Sequence, residues 1–390
     1  MDNPRMTVLV PVFNMQETIE RAIDSFLDQN YENKEIMVLD GGSTDNTVDL
    51  IRQYGSSIDY FVSQKDGGPS EAMANHIKYA TGDLVAILGA DDWYNQGALA
   101  AVANTYKRHQ ADVLYGDCCC VHSTGEKVIK CAKNRVLEDL YYYNAIFTNA
   151  AFVKKSLLEK YYEQHWRANK EHIHISTDHY FWLLLYHQGK YFEYVDSREA
   201  LANYSVSGRS VENEYEGCMD DAQIFWLIVG NDSEAVRKYL PKFRRYFAAR
   251  TILYYEETIM RKDFELELMK YLAEGERYVI FGTGHIGKKA ERLVRVGKGR
   301  LEYFVDNNYL SNAGEYLGYR VCPPESLKKE KNLSVIISAL GNESAIKRQL
   351  TGIGLEASVK IIDYSDICEK IQDKLGIEIL TDAWKKGVIK

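Results

Sequence analysis

Apolar runs of strand length alternate with segments of helical period through the first third of this chain, and few architectures accommodate that rhythm. Thr7 to Val12, Glu35 to Asp40, Tyr60 to Ser63, Leu84 to Leu88 and Val113 to Gly116 are predicted as strands. The intervening apolar spacing predicts helices over Thr18 to Gln29, Asp45 to Tyr54, Ser70 to Ala80 and Gly97 to Gln110. Such alternation is βαβ winding, which builds a sheet covered by helices on both faces. The run Leu84 to Leu88 is closed by Asp91 and Asp92, so two carboxylates sit where a strand ends and a cleft opens. Ligands of wound sheets bind beyond the carboxyl ends of the strands, which makes this pair a candidate metal and nucleotide site.

A chain of 390 residues, 46% hydrophobic and 27% charged, buries a full core and is expected to hold two or three domains. Its net charge of -8 gives no general attraction to nucleic acid, which is excluded as a partner class. The first residues, MDNPRMTVLV, lack the charged-then-apolar order of a signal peptide, and no apolar stretch approaches the roughly 20 residues of a membrane span. The expected compartment is the cytoplasm. Seven cysteines, including the run Cys118-Cys119-Cys120, show no zinc-type spacing and suit reduced thiols. The triplet is expected to be small buried hydrophobes.

Four phrases narrow the class: VLVPVFN followed by Glu17, AIDSFLDQ from Ala22, MVLDGGSTDNT from Met37, and YATGDLVAILGADD from Tyr79. In that order and spacing they make residues 6 to 210 resemble an inverting family-2 glycosyltransferase of the GT-A fold. The resemblance implies a nucleotide-sugar donor, with UDP as its nucleotide, and a saccharide or lipid-linked saccharide acceptor. It also implies a divalent cation, Mn2+ or Mg2+, bonded by Asp92, with Asp91 at the ribose or a metal-bound water and Pro11 at the nucleotide. The chemistry has its own logic, because a departing diphosphate gathers negative charge that a cation held by oxygen ligands neutralises. The competing reading is that Asp91 or Asp92 caps a helix after Trp93.

Asp40 ends its strand on the same edge as Asp91 and Asp92, where it is placed to accept hydrogen bonds from a uracil ring or ribose. The commoner family pattern has a second aspartate where this chain has Gly41, so the base contact is expected from elsewhere, with Asp66 in QKDGGPSEAM as the candidate. Asp66 also reads as a turn residue before Gly67-Gly68. The phrase HISTDHYFWLLLYHQGK resembles the family segment in which an aspartate precedes an apolar helix, making Asp178 the candidate general base. Simple N-capping by Thr177 or Asp178 is the alternative. Thr148-Asn149 stands where relatives often carry His-Gln and is a candidate acceptor lining. Tyr204 with Ser207 to Ser210 resembles a loop that closes over the diphosphate, in which Arg209 is the candidate phosphate contact. Tyr141 to Tyr143 suit either sugar stacking or packing, and His76, His172, His174 and His179 are expected to be ordinary packed or surface residues rather than metal ligands.

Helical spacing over residues 212 to 274 predicts a connector after a first domain spanning 1 to 211. Within it, Lys242, Arg244, Arg245 and Arg250 interleave with aromatics, a pattern that suits either peripheral contact with an anionic membrane or a helix face packed between domains. From 275 to 390 a small Rossmann-like α/β domain is expected. Gly282, Gly284 and Gly287 follow an apolar strand and open a helix, and Asp306 ends the next strand, the context of a dinucleotide fingerprint. A nucleotide or NAD(P) at that turn and a pure packing or oligomerisation domain are the two readings. The predicted fold class is thus α/β: a GT-A doubly wound mixed sheet, a helical connector, then the Rossmann-like domain. Two rival functions remain, an NAD(P)-dependent sugar-nucleotide oxidoreductase or epimerase centred on Gly282 to Gly287, and a non-catalytic sugar-nucleotide-binding scaffold.

Overall fold

The computed structural model describes residues 3–122, 124–130, 132, 137–206, 214–258, 261–309 and 314–375. Two compact units divide the chain, Met1–Asn231 and Asp232–Lys390. The boundary falls inside the segment expected as a connector: helix Glu214–Val229 belongs to the first unit, and helices Ser233–Thr258 and Arg261–Leu268 to the second.

In the first unit the most apolar segment, β1 (Met6–Val12), takes the central position because six of its seven residues are fully buried. It pairs in parallel with β2 (Lys34–Asp40) on one side and with β4 (Leu84–Ile87) on the other, and β3 (Tyr60–Ser63) extends the β2 edge. The helices between them, α1 (Ile19–Leu27), α2 (Thr47–Gln53) and α3 (Pro69–His76), bury apolar faces such as Ile19, Ala22, Ile23 and Phe26 of α1. After β5 (Trp93–Tyr94) and α4 (Ala98–His109), the strands β6 (Val113–Tyr115), β9 (Ala151–Lys154) and β10 (Phe192–Tyr194) complete a seven-stranded sheet of order β10-β6-β9-β4-β1-β2-β3. Only β9 runs antiparallel within it, which makes the sheet mixed. A second sheet, of order β5-β11-β7-β8, joins β7 (Cys118–His122), β8 (Lys127–Lys130) and β11 (Ala202–Val206) to β5. Its strands are short and lack a clean two-residue apolar period, so no sequence signal marks it. Cys118, Cys119 and Cys120 are buried in β7.

The second unit carries five parallel strands, β12 (Arg277–Phe281), β13 (Arg300–Val305), β15 (Tyr319–Cys322), β16 (Leu333–Ile337) and β17 (Val359–Asp363), with β14 (Glu315–Tyr316) paired antiparallel to β15. The spatial order β15-β13-β12-β16-β17 reproduces the doubly wound 3-2-1-4-5 arrangement of Rossmann-like folds. In this unit Arg245 pairs with Asp363 at 3.2 Å and Asp366 at 2.8 Å, and Arg244 with Asp373 at 2.6 Å. These two guanidinium groups of the basic stretch are thus occupied by carboxylates of their own unit. No helix among the described residues is long and apolar enough to cross a membrane.

The amino-terminal ends of β1, β2 and β4 are locked by a polar knot. Glu35, 5% exposed, accepts from the Thr7 hydroxyl and from the Thr81 backbone N–H and hydroxyl, both at 2.8 Å. Buried donors left without an acceptor cost about 1–3 kcal/mol each. Glu35→Ala should therefore lower the stability of the first unit by about 3 kcal/mol, read as a reduced urea midpoint, with Glu35→Gln losing less.

Candidate active site

The carboxyl edge of the sheet gathers the acidic residues. The parallel register sets Asp40 level with Val12, and β4 ends on the other side of β1, so the ends of β2 and β4 stand two strand spacings apart, about 10 Å. The loops that leave β1 and β2 are stitched together, with the Asn14 N–H donating to the Ser43 hydroxyl at 2.8 Å and the Thr44 N–H to the Asn14 amide oxygen at 2.8 Å. Pro11 lies opposite Leu39, one residue before β1 ends.

Beyond β4 the chain turns tightly, the Asp92 N–H bonding the Gly89 carbonyl at 3.0 Å. No helix follows, since Trp93–Tyr94 form a strand antiparallel to β11 and α4 opens only behind Gly97. Helix capping therefore does not account for Asp91 and Asp92. Asp92 is 5% exposed, with Oδ1 accepting the Ser205 N–H at 2.9 Å and the Asn149 side chain adding a hydrogen bond. Burial first, and then the charge of Asp91, push its carboxyl up to about 8, against the pull of Ser205, Asn149 and Arg21. Arg21 itself is fixed with its guanidinium 3.8 Å from the centre of the Trp93 ring and a bond of 2.7 Å to the Asp91 carbonyl. A buried carboxylate beside a second carboxylate is a site that a cation would stabilise, and both donors are the hard oxygens preferred by Mg2+ and Mn2+. Among the described residues no set of three or more His, Cys, Asp or Glu side chains is arranged around a metal position. That fits a cation completed by phosphate oxygens and water, the usual situation for Mg2+ at a nucleotide.

Asp40 departs from expectation. Its carboxylate is 1% exposed and accepts from the Gly42 N–H at 3.1 Å, from the Ser43 N–H and hydroxyl, and from the Ser63 hydroxyl at 2.6 Å. These bonds shape the glycine turn and join it to the end of β3. The neighbouring acidic group is the half-buried Asp66, whose Oδ1 accepts the Gly68 N–H at 2.8 Å, as a turn residue does; a Cβ on Gly41 would meet its Oδ1 at 3.1 Å and Oδ2 at 3.4 Å. The Asp66 carboxylate thus fills the space that a side chain at position 41 would take.

Asp178 sits in the first turn of α6 (Thr177–His187). Its Oδ2 accepts from the Asn144 amide at 2.8 Å and the Thr148 hydroxyl at 2.9 Å, and its Oδ1 from the His179 N–H at 2.8 Å. Burial raises its carboxyl above the ordinary range, while Thr148, the His179 N–H and the His179 charge oppose the rise. Thr148 in turn accepts from the Trp182 indole at 3.1 Å. The pair expected to line an acceptor site therefore holds the acids: Thr148 bonds Asp178 and Asn149, buried, bonds Asp92. Burial and then the charges of Asp92, Asp91 and Asp178 push the Tyr204 phenol up to about 12. Sequence reasoning did not anticipate Ser205, Arg21, Asn144 or Asp221, because each reaches the site from an element distant along the chain. Of the loop expected over the diphosphate, Ser207 to Ser210, including Arg209, lies outside the described residues.

Elsewhere, Tyr141 and Tyr142 are buried, and Tyr141 bonds His187 at 3.1 Å, a packing role. His76 contacts the Tyr60 hydroxyl at 2.9 Å and Gln64 at 3.2 Å. In the second unit Gly282 takes a φ of +117°, and a Cβ on Gly287 would approach the Gly282 carbonyl oxygen to 2.2 Å, so both positions require glycine. Gly284 precedes the helix His285–Val296. Asp306, the acid that the fingerprint assigns to a ribose, accepts from the Thr283 N–H at 2.9 Å and hydroxyl at 2.7 Å and from the Asn308 N–H at 2.8 Å. Oδ2 thus ties the glycine turn to the end of β13 while Oδ1 holds its own loop, which supports the fold and lends nothing to NAD(P).

Comparison with known proteins agrees with the geometry of the first unit. The family model for glycosyl transferase family 2 matches residues 7–183. A GalNAc(5)-diNAcBac-PP-undecaprenol beta-1,3-glucosyltransferase of Campylobacter jejuni is 33% identical over 119 residues, covering 30% of this chain and 38% of that protein. A poly(ribitol-phosphate) beta-glucosyltransferase of Bacillus spizizenii is 29% identical over 118 residues, 29% of this chain and 19% of that protein. The chain thus spans less than half the length of these curated relatives. The crystal structure of S. aureus TarS residues 1-349 in complex with UDP-GlcNAc superposes with a TM-score of 0.50 at 18% identity, covering 68% of this chain and 78% of that one. At that identity the likeness speaks for the fold alone. The first unit of this chain is a family-2 glycosyltransferase domain with the GT-A fold.

Proposed function

We propose that the protein is a metal-dependent inverting glycosyltransferase that moves a sugar from a nucleotide donor, with UDP as the carrier, to a hydroxyl of a saccharide or lipid-linked saccharide. The observation that carries this reading is the buried Asp92 at the carboxyl edge of the sheet, next to Asp91 and held by the Ser205 N–H of β11. The glucosyltransferase names of the relatives and the UDP-GlcNAc of the TarS structure support the donor class and a role in bacterial surface glycan assembly; the proposed compartment is the cytoplasm.

Each residue has a separate task in this reading. Asp92, with Asp91 beside it, would hold Mg2+ or Mn2+, which when bound neutralises charge developing on the diphosphate. Asp66, in the slot left by Gly41, receives hydrogen bonds from the nucleoside, while Asp40 keeps the turn beneath it in shape and Pro11 flanks it. Asp178 removes the proton of the acceptor hydroxyl as its oxygen bonds the anomeric carbon. The bond from that carbon to the phosphate oxygen breaks on the opposite face, which inverts the configuration. The raised carboxyl of Asp178 suits the task, because a base nearer neutrality takes a hydroxyl proton more readily. Nothing in the second unit supports a redox cofactor, and its proposed role is packing.

Two sets of variants test these assignments. Asp178→Asn should keep donor affinity and lose turnover by about 10²–10⁴-fold, measured as UDP release, and undiminished turnover would remove Asp178 from the mechanism. Asp92→Ala should abolish the metal-dependent part of the thermal shift produced by UDP-sugar with Mn2+. Asp66→Ala should raise the donor KM roughly ten- to a hundredfold, the worth of a hydrogen bond to a charged group. A KM unchanged in Asp66→Ala would return base recognition to other residues.

A further inference from the structure

The residue after the proposed base is the most deeply held histidine of the site. His179 is 1% exposed, and both ring nitrogens meet acceptors: Nδ1 lies 2.7 Å from Asp221 Oδ1, and Nε2 lies 2.7 Å from the Leu140 carbonyl oxygen. A carbonyl cannot donate, and neither can an ionised carboxylate, so each contact calls for a proton on the ring nitrogen. A ring carrying both protons is an imidazolium. The partner helix, α7 (Glu214–Val229), contributes a second anchor, because Asp220 Oδ2 accepts the N–H groups of His174, Ile175 and Ser176 at 2.9, 2.6 and 2.9 Å. Adjacent aspartates of α7 thus hold the backbone leading into α6 and the first buried side chain after Asp178.

We infer that His179 is a positioning residue for the proposed transfer: fixed as an imidazolium between Asp221 and the Leu140 carbonyl, it orients the first turn of α6 and keeps the neighbouring Asp178 ionised. This rests on the reading of Asp178 as base. Burial pushes the His179 ring towards neutrality, and the charge and hydrogen bond of Asp221, with the Leu140 carbonyl, outweigh it and hold the ring protonated above its ordinary value. The same positive charge counters the burial that raises Asp178. Other titratable groups surround the pair. Asp220 and Asp221 belong to α7, Glu138 and Asp139 to the segment that supplies Leu140, and Tyr161 and Tyr162 to the π-helical turn Tyr161–Trp166. Tyr204 comes from β11, and His174 precedes α6. The three phenols are all driven up by burial and stay neutral through the working range. Asp220 is also raised by burial, and its three backbone donors oppose that.

The sign follows from these charges. As pH falls through the raised Asp178 value the base gains a proton and turnover is lost. Without the neighbouring cation that value moves higher still, and the loss begins at higher pH.

Nuclear magnetic resonance of 15N-histidine and 13C-aspartate protein tests this in the parent, in His179→Gln and in Asp221→Asn. Both ring nitrogens of His179 should be protonated near neutral pH in the parent. The Asp178 carboxyl should titrate about one unit higher in His179→Gln, a tenfold gain in proton affinity, and rise less in Asp221→Asn, where loss of the Asp221 charge, which itself raises Asp178, opposes the effect. The acidic limb of kcat should follow, with the donor KM within about twofold of the parent, since uniform binding is untouched. A neutral His179 ring in the parent, with the proton on Asp221, overturns the inference, and so does an Asp178 midpoint that does not move. The ring measurement needs no variant and decides even if His179→Gln does not fold. The carboxyl titration needs no turnover, so failure of every UDP-sugar donor would sink the transferase reading and leave this result standing.

Discussion

Carboxylates held out of water near one another are the constraint around which the first unit is arranged. Asp92 is nearly inaccessible and sits beside Asp91, an arrangement that disfavours charge and that burial alone cannot sustain. The surrounding structure supplies fixed dipoles in place of solvent: the Ser205 N–H, the Asn149 side chain and the Arg21 guanidinium. What they leave uncompensated is the demand for a cation. In the proposed function such a site would stabilise a diphosphate when cation and phosphates arrive together, which would link metal and donor binding.

Two acids to which the proposed function gives different tasks are held by two neighbouring residues. Thr148 bonds Asp178 and Asn149 bonds Asp92, and the short helical turn that carries them leads directly into β9, the antiparallel strand between β4 and β6. Reacting groups placed by one rigid element lose little freedom on binding, and such placement accounts for much of catalytic rate. Asp40 illustrates the complementary use of a buried acid, because its oxygens bind the glycine turn and the Ser63 hydroxyl at the end of β3.

The winding of the first unit was legible because each strand and helix carries its own periodic signal. Predicted and observed bounds agree within about two residues for β1 to β4 and for α1, α2 and α4; the α3 prediction ran on into the 3₁₀ turn Ile77–Tyr79. The β5-β11-β7-β8 sheet was not legible, since β11 pairs with segments more than 80 residues away and the strands are too short for a period to register. The boundary at Asn231 was likewise hidden, because helical spacing in residues 214 to 268 says nothing of which core each helix covers.

Sequence by itself determined the βαβ winding, the acid-ended strands and the glycine turn of the second unit, since local hydrophobic period and turn chemistry are written residue by residue. Tertiary structure alone decided which acids are spent and which remain available. Asp40 is bonded by its glycine turn and Ser63, Asp306 by Thr283 and Asn308, Asp66 lies against Gly41 and bonds the Gly68 N–H, and His179 becomes a buried partner of Asp221. The reason is that hydrogen-bond satisfaction depends on what the fold brings within 3 Å of a buried oxygen, and those donors lie on segments with no sequence relation to the acid they serve.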